Sequence, residues 1–128
     1  MATSDPSQEQ ADEKVLHRPS EVDKYVDYFL SLMCDTSRRY ILELLSVPEE
    51  NNNTMFLERR SGDIARAIGL SAATTSEHLR QLAEAGLVIS RREGNTVYYQ
   101  LRNHLLVAAF RDLVYALDSS FSSRLPTL

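Results

Sequence analysis

Apolar residues recur every three or four positions through most of this chain and every second position in one stretch, so helices with one short β region are predicted. The first regular run follows Pro19 and Ser20, where Val22, Tyr25, Val26, Phe29 and Leu32/Met33 fall at helical spacing. Ser20 followed by Asp23 resembles a capping box, with Asp in place of the usual Glu. Asp35-Thr36-Ser37 is a second start signal. Behind it Tyr40, Ile41, Leu44 and Leu45 predict a helix of roughly three turns that ends before Pro48. Glu49 to Asn53 reads as a polar loop, and Thr54 to Leu57 as one short strand at most. Ser61 is expected to cap a short helix with Ile64, Ala65 and Ile68 on its apolar face, stopped by Gly69. Ser71 starts the next helix, whose Thr75, Leu79 and Leu82 form an i, i+4, i+7 stripe, and Gly86 stops it. Two helices in sequence with a tight Gly-containing turn between them are the requirement of a helix-turn-helix.

The period then changes to two. Leu87 to Arg92 and Thr96 to Leu101 read as strands, with Glu93-Gly94-Asn95 between them, which predicts a hairpin that needs helices beneath it. From Asn103 to Leu117 the helical period returns, with Leu106, Phe110, Leu113 and Leu117 in one stripe and Leu105, Val107, Ala109, Val114 and Tyr115 adding apolar surface beyond it. Before Val15 the chain shows no period. The division expected is therefore a disordered acidic and polar tail over 1–18, with at most a helical turn from Gln8 to Leu16, one domain over 19–118, and a short tail over 119–128. The fold class is mainly α with a small β-hairpin: a winged helix-turn-helix, the hairpin following the second helix of the motif directly.

Composition narrows the class without deciding it. The 128 residues are 43% apolar and 25% charged, with four Gly, four Pro and one Cys, which is one ordinary globular domain and excludes collagen-like and disulfide-stapled chains. The longest apolar run, Leu105 to Phe110, is too short to span a membrane, and Met1 to Ala11 lacks the apolar core of a secretory signal. A cytoplasmic protein with a reduced thiol at Cys34 is expected. The formal charge of −4 hides an asymmetry. Residues 1–50 hold 5 basic and 11 acidic side chains (−6), and residues 51–128 hold 9 basic and 7 acidic ones (+2). A bulk negative charge does not favour nucleic acid, so the placement of the arginines must decide.

At 100° per residue from Thr75, the face opposite the apolar stripe carries Ala73, Glu77, Arg80 and Glu84, flanked by Thr74, Ser76 and Gln81, with His78 nearer the core. Its first half, from Ser71, is small or hydroxylic. Such a face can lie deep against base edges, where Thr and Ser bond bases or phosphates and Ala meets thymine methyls. Arg80 reaches a phosphate or a guanine, and Glu77 can only accept. Arg91 and Arg92 enter the hairpin tip and Asn95 leaves it, in position for backbone or minor-groove contact. Alone, an exposed Arg pair on a hairpin is also a common way to keep a sheet edge from aggregating; beside a helix-turn-helix it points to duplex DNA.

These segments together resemble the ArsR/SmtB family of small winged-helix transcriptional regulators. The resemblance is carried by Asp35-Thr36-Ser37-Arg38-Arg39-Tyr40-Ile41-Leu42, which follows the family's D-x-[TS]-R-x-x-I-L pattern, by Asp63-Ile64-Ala65, by Leu70-Ser71 through Ser76-Glu77-His78-Leu79-Arg80-Gln81-Leu82, by Ala85-Gly86-Leu87-Val88, and by Arg91 through Tyr99. It runs from about Val22 to Leu117. It implies a homodimer that binds an imperfect inverted repeat, usually as a repressor, and that dimerises through its first and last helices. The interface residues are then Val22, Tyr25, Val26 and Phe29 on the first helix and Leu106, Phe110, Leu113, Val114 and Leu117 on the last. The broad apolar circumference of the last helix favours the same arrangement.

Many members of this family release DNA when a metal binds. The positions matching one family site are Arg60 and Gly62, and those matching the other are Asn103, Leu105, Ala116 and Ser119; neither set is a transition-metal site. Cys34, His17, His78 and His104 show no ligand spacing, and a new site would have to join His104 to the acidic first helix across the dimer. No metal or cofactor is expected, and the sequence names no effector. Cys34 reads as a small buried residue; the alternative is a redox-responsive thiol. A winged-helix module that docks a protein partner is the competing function. No nucleophile elbow, phosphate loop or Rossmann fingerprint is present, so no enzyme is expected.

Overall fold

In a computed structural model, residues 17–47 and 58–125 are described. The tail before residue 17, the expected loop at Glu49 to Asn53 and the expected strand at Thr54 to Leu57 lie outside the described residues. The elements are α1 (Ser20–Met33), α2 (Thr36–Leu45), β1 (Arg59–Arg60), α3 (Ser61–Ile68), α4 (Ala72–Glu84), β2 (Val88–Glu93), β3 (Thr96–Leu101) and α5 (His104–Ser122). The three strands form one antiparallel sheet in the order β1-β3-β2. The architecture is a winged helix-turn-helix, as the periodicity predicts.

The helix boundaries show which start signals operate. Asp35 is a true N-cap: its carboxylate accepts from the Arg38 backbone N–H at 3.0 Å. Ser71 does the same for α4, accepting from the Thr74 backbone N–H at 3.1 Å. The other two expected caps are corrected. The residue before α1 is Pro19, which makes no side-chain cap bond, and Ser20 is already helical; Asp23 faces Arg18 at 3.5 Å instead. Likewise α3 is preceded by Arg60, with Ser61 inside the helix. In both cases the chain enters directly from extended backbone, so the serine arrives one residue late to cap. Gly69 ends α3 in the left-handed region (φ 72°). The Leu70 N–H then bonds back to the Ala65 carbonyl at 3.0 Å, closing a Schellman-type stop that leaves only Gly69, Leu70 and Ser71 between the helices.

The core joins both sides of the motif. Leu32 and Met33 of α1, Ile41, Leu42 and Leu45 of α2, Ile64 of α3, and Leu79 and Leu82 of α4 pack with Leu87, Val88, Leu101 and Val107. The hairpin closes with Glu93 opposite Thr96, so its loop is two residues, Gly94-Asn95. Only Gly94 has positive φ (62°), the arrangement of a type II′ turn. The expected two-stranded wing gains a third strand, because Arg59 and Arg60 pair with Tyr99 and Tyr98. Arg59 secures this edge from the inner face, its guanidinium donating to the Leu44 and Val47 carbonyls at the end of α2 at 3.2 and 2.9 Å.

The last helix runs to Ser122, five residues past the expected end at Leu117, and takes Ser119 to Ser122 out of the expected tail. Val107 is its one buried residue. Leu106 and Phe110 are half-buried, the latter edge-on to Phe29 of α1 at 5.8 Å between ring centres. Among the described residues no helix is long and apolar enough to cross a membrane.

Candidate nucleic-acid interface

The second helix of the motif buries only one stripe. Thr75, Leu79 and Leu82 are essentially inaccessible, while Ser71, Ala73, Thr74, Ser76, Glu77 and Arg80 are all exposed. The predicted outward face is therefore the face observed. Its first turn presents Ser71 and Thr74 already bonded to each other, hydroxyl to hydroxyl at 2.9 Å. Two of the expected residues are less free. His78 is half-buried, with its Nδ1 enclosed and unpartnered. Gln81 is half-buried, and its Oε1 accepts from Arg38 Nη1 at 2.6 Å.

Arg80 lies along the helix between two carboxylates. Its Nε and Nη2 donate to both oxygens of Glu77 at 3.0 and 2.6 Å, and its Nη1 to Glu84. The arginine bonds hold the Glu77 carboxyl below the usual carboxylate range, and Glu77 in turn raises the arginine pKa.

On the wing, register separates the two arginines that adjoin in sequence. Arg91 stands opposite Tyr98 and Arg92 opposite Val97, so they lie on opposite faces of the sheet. Across the outer face, Arg60, Tyr98 and Arg91 form one row over the three strands. Both guanidiniums cover the Tyr98 ring, at 5.9 and 4.6 Å from its centre. Arg91 also donates to Glu58 at 2.7 Å and Glu93 at 2.8 Å, and these partners, Glu58 foremost, raise its pKa. Arg92 is exposed and pairs with no carboxylate among the described residues. Asn95 is exposed at the tip.

Sequence reasoning missed Glu58, Arg60, Tyr98 and Arg38. The first three are brought together by β1, which is too short to register as a period. Arg38 had a signal: it sits three residues after the Asp35 cap, which aims it back toward α1. Cys34 is corrected. It is exposed, because it closes the last turn of α1, where the chain reverses and α2 cannot cover it. It borders a groove of about 560 Å³ between α1 and α5, together with Leu30, Met33, Leu113, Leu117 and Phe121. Among the described residues no three His, Cys, Asp or Glu side chains gather as a metal site would require.

A family model for "Bacterial regulatory protein, arsR family" matches residues 57–90. The chain is 31% identical over 83 residues to the arsenical resistance operon repressor of Staphylococcus aureus, covering 65% of this chain and 71% of that one. It is 34% identical over 53 residues to the HTH-type transcriptional regulator YgaV of Escherichia coli K12, covering 41% of this chain and 54% of the regulator, so the match spans only about half of that relative's length. Its fold is similar to the homodimeric winged helix-turn-helix DNA-binding domain of Mb0332 from Mycobacterium bovis, with a TM-score of 0.62 and 27% identity over 93% of this chain and 91% of that one.

Proposed function

The chain belongs to the arsR family of bacterial regulatory proteins, and from that premise we propose that it is a cytoplasmic homodimeric repressor that binds an imperfect inverted repeat in duplex DNA. The observation that carries this reading is the exposed polar face of α4 beside an arginine-bearing wing. In this reading α4 enters the major groove with Ser71, Ala73, Thr74, Ser76, Glu77 and Arg80 foremost, His78 and Gln81 behind them, and Arg91, Arg92 and Asn95 on the flanking backbone or minor groove. The dimer forms through α1 and α5, and its two-fold axis puts the second α4 about one helical turn, roughly 34 Å, along the duplex.

The family's metal sites do not fit this chain. Arg60 is engaged over Tyr98, and Gly62 has no side chain. Asn103 spends its Oδ1 on the Leu106 backbone N–H at 3.3 Å, as the cap of α5, Leu105 and Ala116 carry no donor atom, and Ser119 is a poor ligand. Any trigger for release is then something other than a metal at those positions. The exposure of Cys34 in the groove between the proposed interface helices favours one narrower reading, that modification of this thiol loosens the dimer. Cys34→Ser that still releases DNA under oxidant overturns it.

The main test begins with selection of bound duplexes from a random pool. Arg80→Ala and the double variant Arg91→Ala/Arg92→Ala are expected to weaken binding to the selected duplex while melting like the parent, with the salt slope falling by roughly one for each phosphate-binding arginine removed. Parent-like binding by both variants overturns the placement of the interface.

A further inference from the structure

Arg80 on the recognition helix and Arg91 on the wing share one arrangement although they stand on different elements. Each is an exposed cation held by two carboxylates, Glu77 and Glu84 in one case and Glu58 and Glu93 in the other. The helix cluster therefore carries a net charge of −1, and on the wing the two carboxylates offset Arg91 and the adjoining Arg60. The Arg80 pairs and the Arg91–Glu93 pair are exposed on both sides and add little to stability, while Glu58, its side chain 19% exposed, holds Arg91 from a more shielded position. The effect of these pairs on an approaching phosphate is larger. A phosphate meets engaged carboxylates where a bare arginine would attract it, and on the wing Arg60 and Arg92 pair with no carboxylate among the described residues.

Granting the DNA-binding reading above, on which this rests, we infer that Glu84 on the helix and Glu58 and Glu93 on the wing are specificity-determining residues that cage Arg80 and Arg91 against sequence-independent phosphate contact. Non-specific affinity is supplied by phosphate neutralisation, whichever bases lie beneath. A caged arginine contributes only where a guanine edge or a phosphate in register offers a bidentate replacement for its carboxylates. On any other sequence the arginine stays on its carboxylates. Discrimination is a difference of affinities, so weakening the wrong complexes raises it as surely as strengthening the right one.

The test uses the full chain, the duplex selected from the pool, and a random-sequence duplex of equal length. Glu84→Gln and Glu58→Gln/Glu93→Gln keep side-chain shape and remove charge. Each is expected to bind the random duplex more tightly, by about eightfold at ~0.1 M salt for each further phosphate neutralised, with a correspondingly steeper salt slope. The selected duplex benefits less, so the ratio between the two falls. In an Arg80→Ala background Glu84→Gln brings no tightening, and in an Arg91→Ala background the wing pair brings none. No tightening in the single-site tests, or a tightening that persists without the arginine, overturns the cage, the latter because it shows only a general charge effect. A parent chain that prefers the selected duplex while the variants match it overturns the cage alone; a parent with no preference overturns the DNA reading and the cage with it.

Discussion

Asp35 shows how much one side chain sets locally. Its carboxylate accepts the Arg38 backbone N–H at the start of α2, a donor with no partner inside the helix. That bond, with the nearby Arg38 charge, holds the Asp35 pKa below its ordinary value. A carboxylate with a depressed folded-state pKa stabilises at neutral pH, and the contribution is lost as pH falls from about 4 through the lower folded value. Asp35→Ala is expected to cost about 1 kcal/mol at pH 7 in urea unfolding, and Asp35→Asn, which can still accept, clearly less. The gap between parent and Asp35→Asn should close as pH drops below about 4. A gap that stays constant with pH would mean that the charge at this cap has no stabilising role. Cys34, one position earlier, shows the limit of composition at this scale. Free cysteines are usually buried, yet this one is exposed on the groove between α1 and α5, and no residue type announces which side of a helix end is left open.

At the scale of elements, the parts with a strong local signal were legible in the sequence. The Thr75–Leu79–Leu82 stripe predicts both the buried and the open face of α4, and Gly69 and Ser71 bound the turn before it, because a helix that buries one side must repeat every 3.6 residues. What was not legible depends on pairing across distance. A two-residue strand has no period, so β1 and the row of Arg60, Tyr98 and Arg91 that it completes appear only once the sheet is formed. Arg38 is the same kind of feature between helices. Its Nε donates to the Leu32 carbonyl at the end of α1 at 2.6 Å, and its Nη1 to Gln81 of α4. One half-buried guanidinium thus ties the first helix, on the proposed dimer side, to the helix proposed to read DNA. Hydrogen bonds to a charged group contribute about 1.5–3 kcal/mol when well shielded. Partial exposure here lowers the expectation for Arg38→Ala to about 1–2 kcal/mol. In a double-mutant cycle, Arg38→Ala and Gln81→Ala should couple by about 1 kcal/mol in urea unfolding. Additive effects would show that the bridge does not hold the two helices together in solution.

At the scale of the whole molecule, the distribution of apolar surface is uneven in a way one chain cannot resolve. The core is complete without most of α5, which buries Val107 alone, while Leu113, Leu117 and Phe121 stand exposed along one groove with the exposed Leu30 of α1, and Val22, Tyr25 and Val26 are exposed further along the same helix. Scattered exposed apolar residues are ordinary; a continuous surface over two helices is the mark of an interface. From sequence alone, an acidic residue at Leu113 would be expected to damage either the dimer or the fold. The structure separates these outcomes, because Leu113 is 49% exposed in the single chain. A charge there remains hydrated in the monomer, and becomes buried without a partner only when a second copy covers it. Leu113→Asp is therefore expected to keep its helical content and to sediment as a monomer at concentrations where the parent is a dimer. Its binding to a full inverted repeat should fall toward its binding to a single half-site, since the linkage between the two recognition helices is gone. A folded Leu113→Asp chain that still sediments as a dimer would move the interface away from α5, and with it the geometry that puts two copies of α4 on one face of the duplex.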